Sequence, residues 1–430
     1  MRNTNIMFVG GGGREDSMAW KARQNSEVGE IFITPGNAGT KQYGKNVSIA
    51  VTDVEKLADF AEENKVDLTI VGQEDALAAG IVNLFRARGL RIFGPTREAA
   101  KIETSKAFFH EVMARAGVPT AHSQVFTDHL SALAWMRIHK APVVVKADGL
   151  AAGKGAVICK TVQEAERAIA SIMIMKAHGD AGKTIVIEEF LEGQELSVHT
   201  LCTPSEFYVF PVAQDHKPAL EGDKGEMTGG MGTFSPVPWV TAEMMHEIRE
   251  RIVRPTVEEM KKSSVPFEGL MYHGLMMTST GPKVLEINAR FGDTEAQTFM
   301  RKLKTDFVDL INSCVDDKLD PLKVDWNPGF AATIVLASGG YPGKYAKGVP
   351  IYDIEDALNV PGVMVFHAGT TYGLDSGLET SGGRVLNISA TGRTLTDALR
   401  IAYQAADCIK FEGKFYRRDI GRKSLSVALE

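Results

Sequence analysis

The first apolar run, Ile6 to Val9, is followed by Gly10, Gly11, Gly12 and Gly13 and then by a helix-spaced pattern from Glu15 through Trp20. This order predicts a strand, a glycine turn and a helix. A second strand, Glu30 to Ile33, leads into Pro35-Gly36-Asn37-Ala38-Gly39-Thr40; a third, Leu68 to Val71, ends at Gly72; a fourth, Arg91 to Phe93, ends at Gly94-Pro95-Thr96. Strands alternating with helical stretches predict a parallel sheet with helices on both faces. In such sheets ligands bind beyond the carboxyl ends of the strands, where all four glycine-bearing loops fall.

A helix through Lys101 to Ala116 closes at Gly117-Val118-Pro119, because Pro119 cannot continue it. A new unit begins near Thr120, with strands at Pro142 to Lys146 and Ala156 to Cys159 flanking a small-residue loop, a helix from Thr161 and an apolar strand from Thr184 to Ile187. Gln194 to Leu201 and Phe207 to Val212 alternate as strands of an antiparallel sheet. A glycine-rich loop from Gly222 to Gly232 follows, then strands at Leu270 to Met277 and Lys283 to Ile287. From about Asn327 the chain reads as a last small α/β unit with strands at Ala331 to Ala337, Val363 to Ala368 and Val385 to Ser389. The expected division is 1–103, a central unit of 104–119 and 194–326, a unit of 120–193 inserted into it, and 327–430.

Composition narrows the function classes. The 430 residues carry 48 Lys and Arg against 54 Asp and Glu, a net charge of −6, which disfavours a general nucleic-acid binder. A hydrophobic fraction of 44% with 24% charged residues is that of a soluble globular protein. No apolar run reaches the roughly 18 residues of a membrane span, and the N-terminus lacks the apolar region of a signal peptide. Cys159, Cys202, Cys314 and Cys408 form no CxxC pair, which fits core packing in a reducing cytoplasm. The expectation is a cytoplasmic protein, a monomer or weak dimer, with small-molecule partners and neither nucleic acid nor membrane.

Three constellations carry chemistry. Gly10-Gly11-Gly12-Gly13-Arg14-Glu15 does not match GxGxxG; its backbone N–H groups at a helix N-terminus suit a phosphate, with Arg14 able to grip it. Lys146 ends an apolar strand, and Ala147-Asp148-Gly149-Leu150-Ala151-Ala152-Gly153-Lys154-Gly155 joins it to another strand as a lid over a polyphosphate, without Walker A spacing. Glu188-Glu189-Phe190-Leu191-Glu192-Gly193 closes the next apolar strand, followed by Glu195, so that a hinge backbone could read adenine while a carboxylate holds the ribose. Glu286 and Asn288, two apart on a strand, share a face and present hard oxygen ligands for Mg²⁺, and Arg290 continues that face.

With these strings on view, the chain resembles the ATP-grasp superfamily and, within it, the phosphoribosylamine–glycine ligase family (glycinamide ribonucleotide synthetases) of purine biosynthesis over essentially its whole length. Further strings carrying the resemblance are Gln214-Asp215-His216-Lys217, Thr228-Gly229-Gly230-Met231-Gly232, Ser338-Gly339-Gly340-Tyr341-Pro342-Gly343 and Phe366-His367-Ala368-Gly369-Thr370. The resemblance implies an α/β protein: an ATP-grasp fold of two α+β subdomains, an N-terminal Rossmann-like domain and a small C-terminal α/β domain. It implies ATP and Mg²⁺ or Mn²⁺ as cofactors. Lys106, Lys146, Gly153, Lys154 and Gly155 would bind or cover phosphates, Glu188, Phe190 and Leu191 would meet adenine, and Glu195 the ribose. Glu286 and Asn288 would hold the metal. Gly12, Arg14, Glu15, Asn37, Gly39, Glu74 and Thr96 would receive the phosphoribosylamine, and Asp215, Lys217 and Arg290 would line the reaction centre.

The chain departs from the family pattern in its substrate loops. Asp16 replaces a His, Gln73-Glu74-Asp75-Ala76-Leu77 replaces Pro-Glu-x-Pro-Leu, and Glu226-Met227 stands in the Gly-Pro-Asn-Thr-Gly-Gly string. Thr294 and Ala296 alter Gly-Asp-Pro-Glu-Thr-Gln. Asp16 is expected to add negative charge where a phosphate would sit. Two readings of the substrates follow: glycine with phosphoribosylamine, or a different carboxylate and amine joined by a diverged paralogue in a specialised pathway.

Overall fold

The computed structural model describes residues 3–151, 155–375 and 377–427. The first five strands are β1 (Thr4–Gly10), β2 (Val28–Pro35), β3 (Lys45–Asn46), β4 (Leu68–Val71) and β5 (Ile92–Phe93), all parallel in the order β3-β2-β1-β4-β5. Residues of β1 alternate between two cores. Met7 and Val9 pack with Leu57 and Phe85, whereas Ile6 and Phe8 pack with Met18, Phe291 and Phe299. A strand covered on both faces needs an unbroken apolar run rather than alternation, which is why Ile6 to Val9 reads as it does.

The expected helix through Lys101 to Ala116 is two helices, Arg97–Thr104 and Lys106–Ala116. Ser105 breaks them apart: its backbone is extended, and its hydroxyl accepts from the Phe108 N–H. Asp148, from the inserted unit, accepts from both the Ser105 hydroxyl and the Ala107 N–H at 3.0 Å. A serine that caps a helix also interrupts the one before it.

The inserted unit is an antiparallel sheet of β6 (Ser123–Phe126), β7 (Val143–Ala147), β8 (Ala156–Cys159) and β9 (Ile185–Glu189), ordered β6-β9-β7-β8. It encloses its own apolar core, with Met136, Val145, Ile169 and Ile187 fully buried. Residues 194–288 then supply β10 (Gln194–Cys202), β11 (Phe207–Val209), β12 (Gln214–Asp215), β13 (Pro218–Leu220), β14 (Lys224–Met227), β15 (Gly232–Ser235), β16 (Gly269–Thr278) and β17 (Gly281–Asn288). The central sheet is β11-β10-β16-β17, antiparallel throughout. The expected strand over Phe207 to Val212 is shorter, ending at Val209, and beyond it the pairing with β10 slips by one residue to Ser197 opposite Ala213.

The C-terminal strands are β18 (Phe330–Ala337), β19 (Val363–His367), β20 (Thr370–Tyr372), β21 (Leu378–Thr380) and β22 (Arg384–Gly392). Their main sheet, β12-β15-β18-β22-β19, reaches back across residue 327, because β15 pairs with β18 from Gly232 opposite Ile334 to Ser235 opposite Ala331. The chain around Asp215 is thereby fixed to the last domain. All four cysteines are free, and Cys159, Cys202 and Cys314 are buried. Among the described residues, no helix is long and apolar enough to cross a membrane.

Candidate active site

Lys146 is the penultimate residue of β7. Its ammonium lies 2.7 Å from Glu188 Oε2 on β9 and donates to the Leu285 carbonyl at 3.1 Å. The other Glu188 oxygen meets His110 Nε2 at 2.9 Å. Burial opposes ionisation of Glu188, yet Lys146 and His110 hold its pKa below the usual carboxylate range. Leu285 is the extra residue of a bulge where β17 slips against β16, between the pairs Gly274–Glu286 and Leu275–Val284. A bulge frees a carbonyl from the ladder, and here that carbonyl receives the lysine.

Glu286 and Asn288 follow the bulge on one face of β17. Lys217 approaches Glu286 Oε1 at 3.1 Å and Glu195 Oε2 at 3.8 Å, joining two strands of the central sheet. Lys217 pulls the Glu286 pKa far below the usual range, outweighing burial, with Lys106 and Lys146 adding to it. Gly274 stands opposite Glu286, and a Cβ there would meet Glu286 Cγ at 3.3 Å. Asn288 Oδ1 accepts from Arg290 Nη2 at 3.2 Å. Arg290 is further held by Glu74 at 3.2 Å and Glu103 at 3.1 Å. Burial opposes charge on Glu74, but Arg290 and Arg14 keep its pKa at about 2, while burial raises that of Glu103.

The glycine loop of the first domain is organised around Glu15. Its Oε2 accepts from the Gly12 N–H at 2.7 Å, and Oε1 accepts from Arg14 Nε at 3.0 Å. A Cβ at Gly72 would lie 1.9 Å from Glu15 Oε1 and one at Gly10 2.4 Å from its Cδ, so both glycines make room for this carboxylate. Arg14 is buried and donates to the Phe291 carbonyl at 2.6 Å, tying the loop to the segment after β17 that carries Arg290. Asn37 Nδ2 donates to the Gly11 carbonyl at 3.0 Å and the His367 carbonyl at 2.9 Å, and a Cβ at Gly39 would strike His367 at 2.5 Å. Thr96 caps the helix Arg97–Thr104 by accepting from Ala99 N.

Asp16 is not part of a phosphate cradle. It is fully buried, accepts from the His367 N–H at 2.8 Å, and has its pKa raised to about 8 by burial, against that hydrogen bond and with help from Glu15. The expected added negative charge is therefore absent at neutral pH, because desolvation favours the protonated acid.

Around Asp215 the structure gathers residues to which the sequence assigned no role. Asp215 Oδ1 accepts from His216 N at 2.8 Å, Thr233 Oγ1 at 3.1 Å and Thr294 Oγ1 at 3.3 Å. Arg384 of β22 reaches Asp293 Oδ2 at 2.8 Å and donates to the Gly229 carbonyl. Glu295 accepts from the Ser197 hydroxyl at 3.0 Å. His110, Glu103 and Arg384 carry no local motif; their signal is proximity to partners far along the chain. Asp293 and Glu295 do have a signal, as the Asp and Glu of the Gly-Asp-Pro-Glu-Thr-Gln string shortly after Arg290.

Lys106, Lys146, Glu188, Glu195, Lys217, Glu286, Asn288 and Arg290 thus form one connected charged surface, with Glu74 joining it to the first domain. Phe190 and Leu191 lie in the connection from β9 to β10, and Gly155 precedes β8, its carbonyl accepting from Ala147 N at 2.8 Å. Gly153 and Lys154 lie outside the described residues. A cavity of about 290 Å³ between Glu74, Asp75, Leu150, Ala151 and His178 separates the first domain from the inserted unit.

Three family models match the chain: phosphoribosylglycinamide synthetase N domain over residues 4–103, ATP-grasp (A) domain over 104–296 and C domain over 331–423. The chain is 45% identical to a phosphoribosylamine–glycine ligase of Pseudomonas aeruginosa, covering 98% of both chains. It is 46% identical to one of Pasteurella multocida, again over 98% of both. A solved phosphoribosylamine–glycine ligase of Thermotoga maritima superposes with a TM-score of 0.83 at 30% identity, over 97% of this chain and 100% of that one. These full-length likenesses, together with a site that draws on every domain, place the chain in the phosphoribosylglycinamide synthetase family of ATP-grasp C–N ligases of purine biosynthesis.

Proposed function

We propose that this protein joins glycine to 5-phosphoribosylamine at the expense of ATP, giving glycinamide ribonucleotide, ADP and phosphate. The carrying observation is the convergence of Lys146, Lys217 and Arg290 around the Glu286–Asn288 face of one strand. A carboxylate is a poor acyl donor because its leaving group would be oxide. Transfer of the γ-phosphoryl group to a carboxylate oxygen of glycine makes an acyl phosphate; the amine of phosphoribosylamine then attacks its carbonyl carbon, the C–O bond to phosphate breaks, and the amine loses a proton. Little covalent work falls to the protein, so positioning and electrostatics carry the rate.

In this reading Lys106 and Lys146 hold ATP phosphates, Glu188 with the Phe190-Leu191 backbone meets adenine, and Glu195 meets the ribose. The Glu188 carboxylate also anchors the Lys146 ammonium, through their 2.7 Å contact. Lys217 and Arg290 face the carboxylate undergoing phosphorylation, and Asp215 receives the amino group of glycine. Gly12, Arg14, Asn37, Gly39, Glu74 and Thr96 border the phosphoribosylamine, with Glu15 holding the Gly12 loop in shape.

The donor chemistry of Glu286 and Asn288 fits a divalent cation: an ionised carboxylate and an amide oxygen on one face, with Glu286 kept anionic by its lysine neighbours. Bound there, Mg²⁺ or Mn²⁺ would neutralise phosphate charge. The test is ADP release over a matrix of amino acids with phosphoribosylamine and other amines. Glycine with phosphoribosylamine should give the highest kcat/KM; a different preferred pair would assign the chain to a diverged ligase.

A further inference from the structure

Thr294 has φ +82° and ψ −41°. A β-branched side chain rarely adopts this region, which a proline cannot enter at all. The residue is nonetheless completely buried. Its N–H is taken by Gln297 Oε1 at 2.8 Å and Asp293 Oδ1 at 3.2 Å, which pins the peptide. Strain of this kind persists only where the surroundings over-determine it, so what the turn achieves is informative.

The turn sends three consecutive side chains to four different strands. Asp293 meets Arg384 on β22, Glu295 meets Ser197 on β10, and Thr294 Oγ1 reaches Asp215 Oδ1 on β12 and the Thr233 hydroxyl on β15. Each threonine hydroxyl has one proton. Either both donate to Asp215, or one donates to the other and the second donates to Asp215. With the His216 N–H, every such arrangement loads Oδ1. Among the described residues, Oδ2 receives none of these donors and stays available to a ligand.

We propose that Thr294 is a positioning residue: its strained backbone places a hydroxyl that, with Thr233, fixes the Asp215 carboxyl so that Oδ2 faces the amino group of the amino-acid substrate. This rests on the placement of Asp215 at the reaction centre in the proposed function. The assignment goes beyond that placement, because it makes a residue without substrate contact a determinant of how the substrate is held.

The full-length enzyme tests it in three variants. Thr294→Val keeps the shape and removes the hydroxyl, Thr294→Ser keeps the hydroxyl, and Thr294→Gly relieves the backbone while removing the hydroxyl. The Val and Gly variants should lose about tenfold in kcat/KM for glycine with KM for ATP unchanged, while Ser stays within about twofold of wild type. Gly should unfold at a temperature no lower than Val, which separates lost hydrogen bonding from lost folding. A crystal structure of Thr294→Val should show the Asp215 carboxyl rotated. Wild-type kinetics in Thr294→Val, or Ser as impaired as Val, would overturn the proposal. If the wild-type enzyme turns over neither glycine nor phosphoribosylamine, the proposed function fails alone, and Asp215 orientation in the variant structure decides the role of Thr294: rotated supports it, unmoved refutes it.

Discussion

Asp16 Oδ2 accepts the His367 N–H at 2.8 Å across the junction of the first and C-terminal domains, and Asn37 Nδ2 holds the carbonyl of the same residue at 2.9 Å. One peptide-flanked residue of β19 is thus gripped from both sides by the first domain, one grip coming from the helix after the glycine loop and the other from the loop after β2. Trp20 packs edge-on against Phe366 at 5.6 Å beside it, adding apolar contact to the polar clamp.

This clamp should make stability pH-dependent. The Asp16 pKa is about 8 when folded against an ordinary value of 3.8, so the native state binds an extra proton between them. Stability present at low pH is then lost as pH rises through this window and levels off above it. Burial pushes Tyr43 up, out of this range, while burial lowers His367 to about 4 from 6.5, so His367 acts in the opposite sense between those values and only a comparison with a variant lacking the Asp16 carboxyl isolates Asp16. Asp16→Asn removes the titration, so the melting temperature of wild type relative to the variant should fall between about pH 4 and about pH 8. Parallel curves for the two proteins would refute the assignment.

Replacing Glu286 with Gln, or Asn288 with Ala, should reduce ligation about 100-fold, equivalent to ~2.7 kcal/mol of barrier, with circular dichroism unchanged. Each change removes an oxygen ligand from the face that Gly274 leaves open. The deficit should be larger at limiting than at saturating Mg²⁺. Near-normal turnover at limiting metal would remove both residues from the metal site.

Lys146→Met should both weaken ATP binding and destabilise the fold. Glu188 is 3% exposed, and without the lysine it keeps only His110. Removing one partner of a buried ion pair costs about 3 kcal/mol or more, because the remaining charge is left uncompensated. Urea midpoints should drop accordingly, and the double variant Lys146→Met/Glu188→Leu should recover stability without recovering activity.

Arg384→Lys should fail to substitute for arginine, with a loss in kcat/KM of about tenfold. The guanidinium bridges Asp293 and the Gly229 carbonyl at once, and a single ammonium cannot span both. Full activity in the lysine variant would show that charge alone suffices there.

Much of the architecture follows from local pattern. The run from Ile6 to Val9, the four glycine loops and the same-face pair Glu286 and Asn288 are all readable from spacing, because strand periodicity and glycine turns depend on neighbours in the chain. The helix break at Ser105 was less legible: an N-cap serine inside an apolar-periodic stretch looks like one more polar position until Asp148 arrives from the inserted unit.

The site depended more heavily on long-range packing. Asp16, expected to sit beside a phosphate, faces β19 because its helix packs against the C-terminal domain, and burial then raises its pKa. Arg384 and Asp293 meet across 91 residues of sequence, and His110 finds Glu188 across 78. Thr294 appears in the sequence only as an altered motif position; its left-handed backbone and its hold on Asp215 exist because β12 and β15 join the C-terminal sheet. The sequence by itself determined which elements form and which side chains share a face, since those are set by bonds and dihedrals a few residues long. Which charges are buried together, and hence which protons they keep, was decided by tertiary structure, because desolvation and Coulomb attraction depend on distance in space and not along the chain.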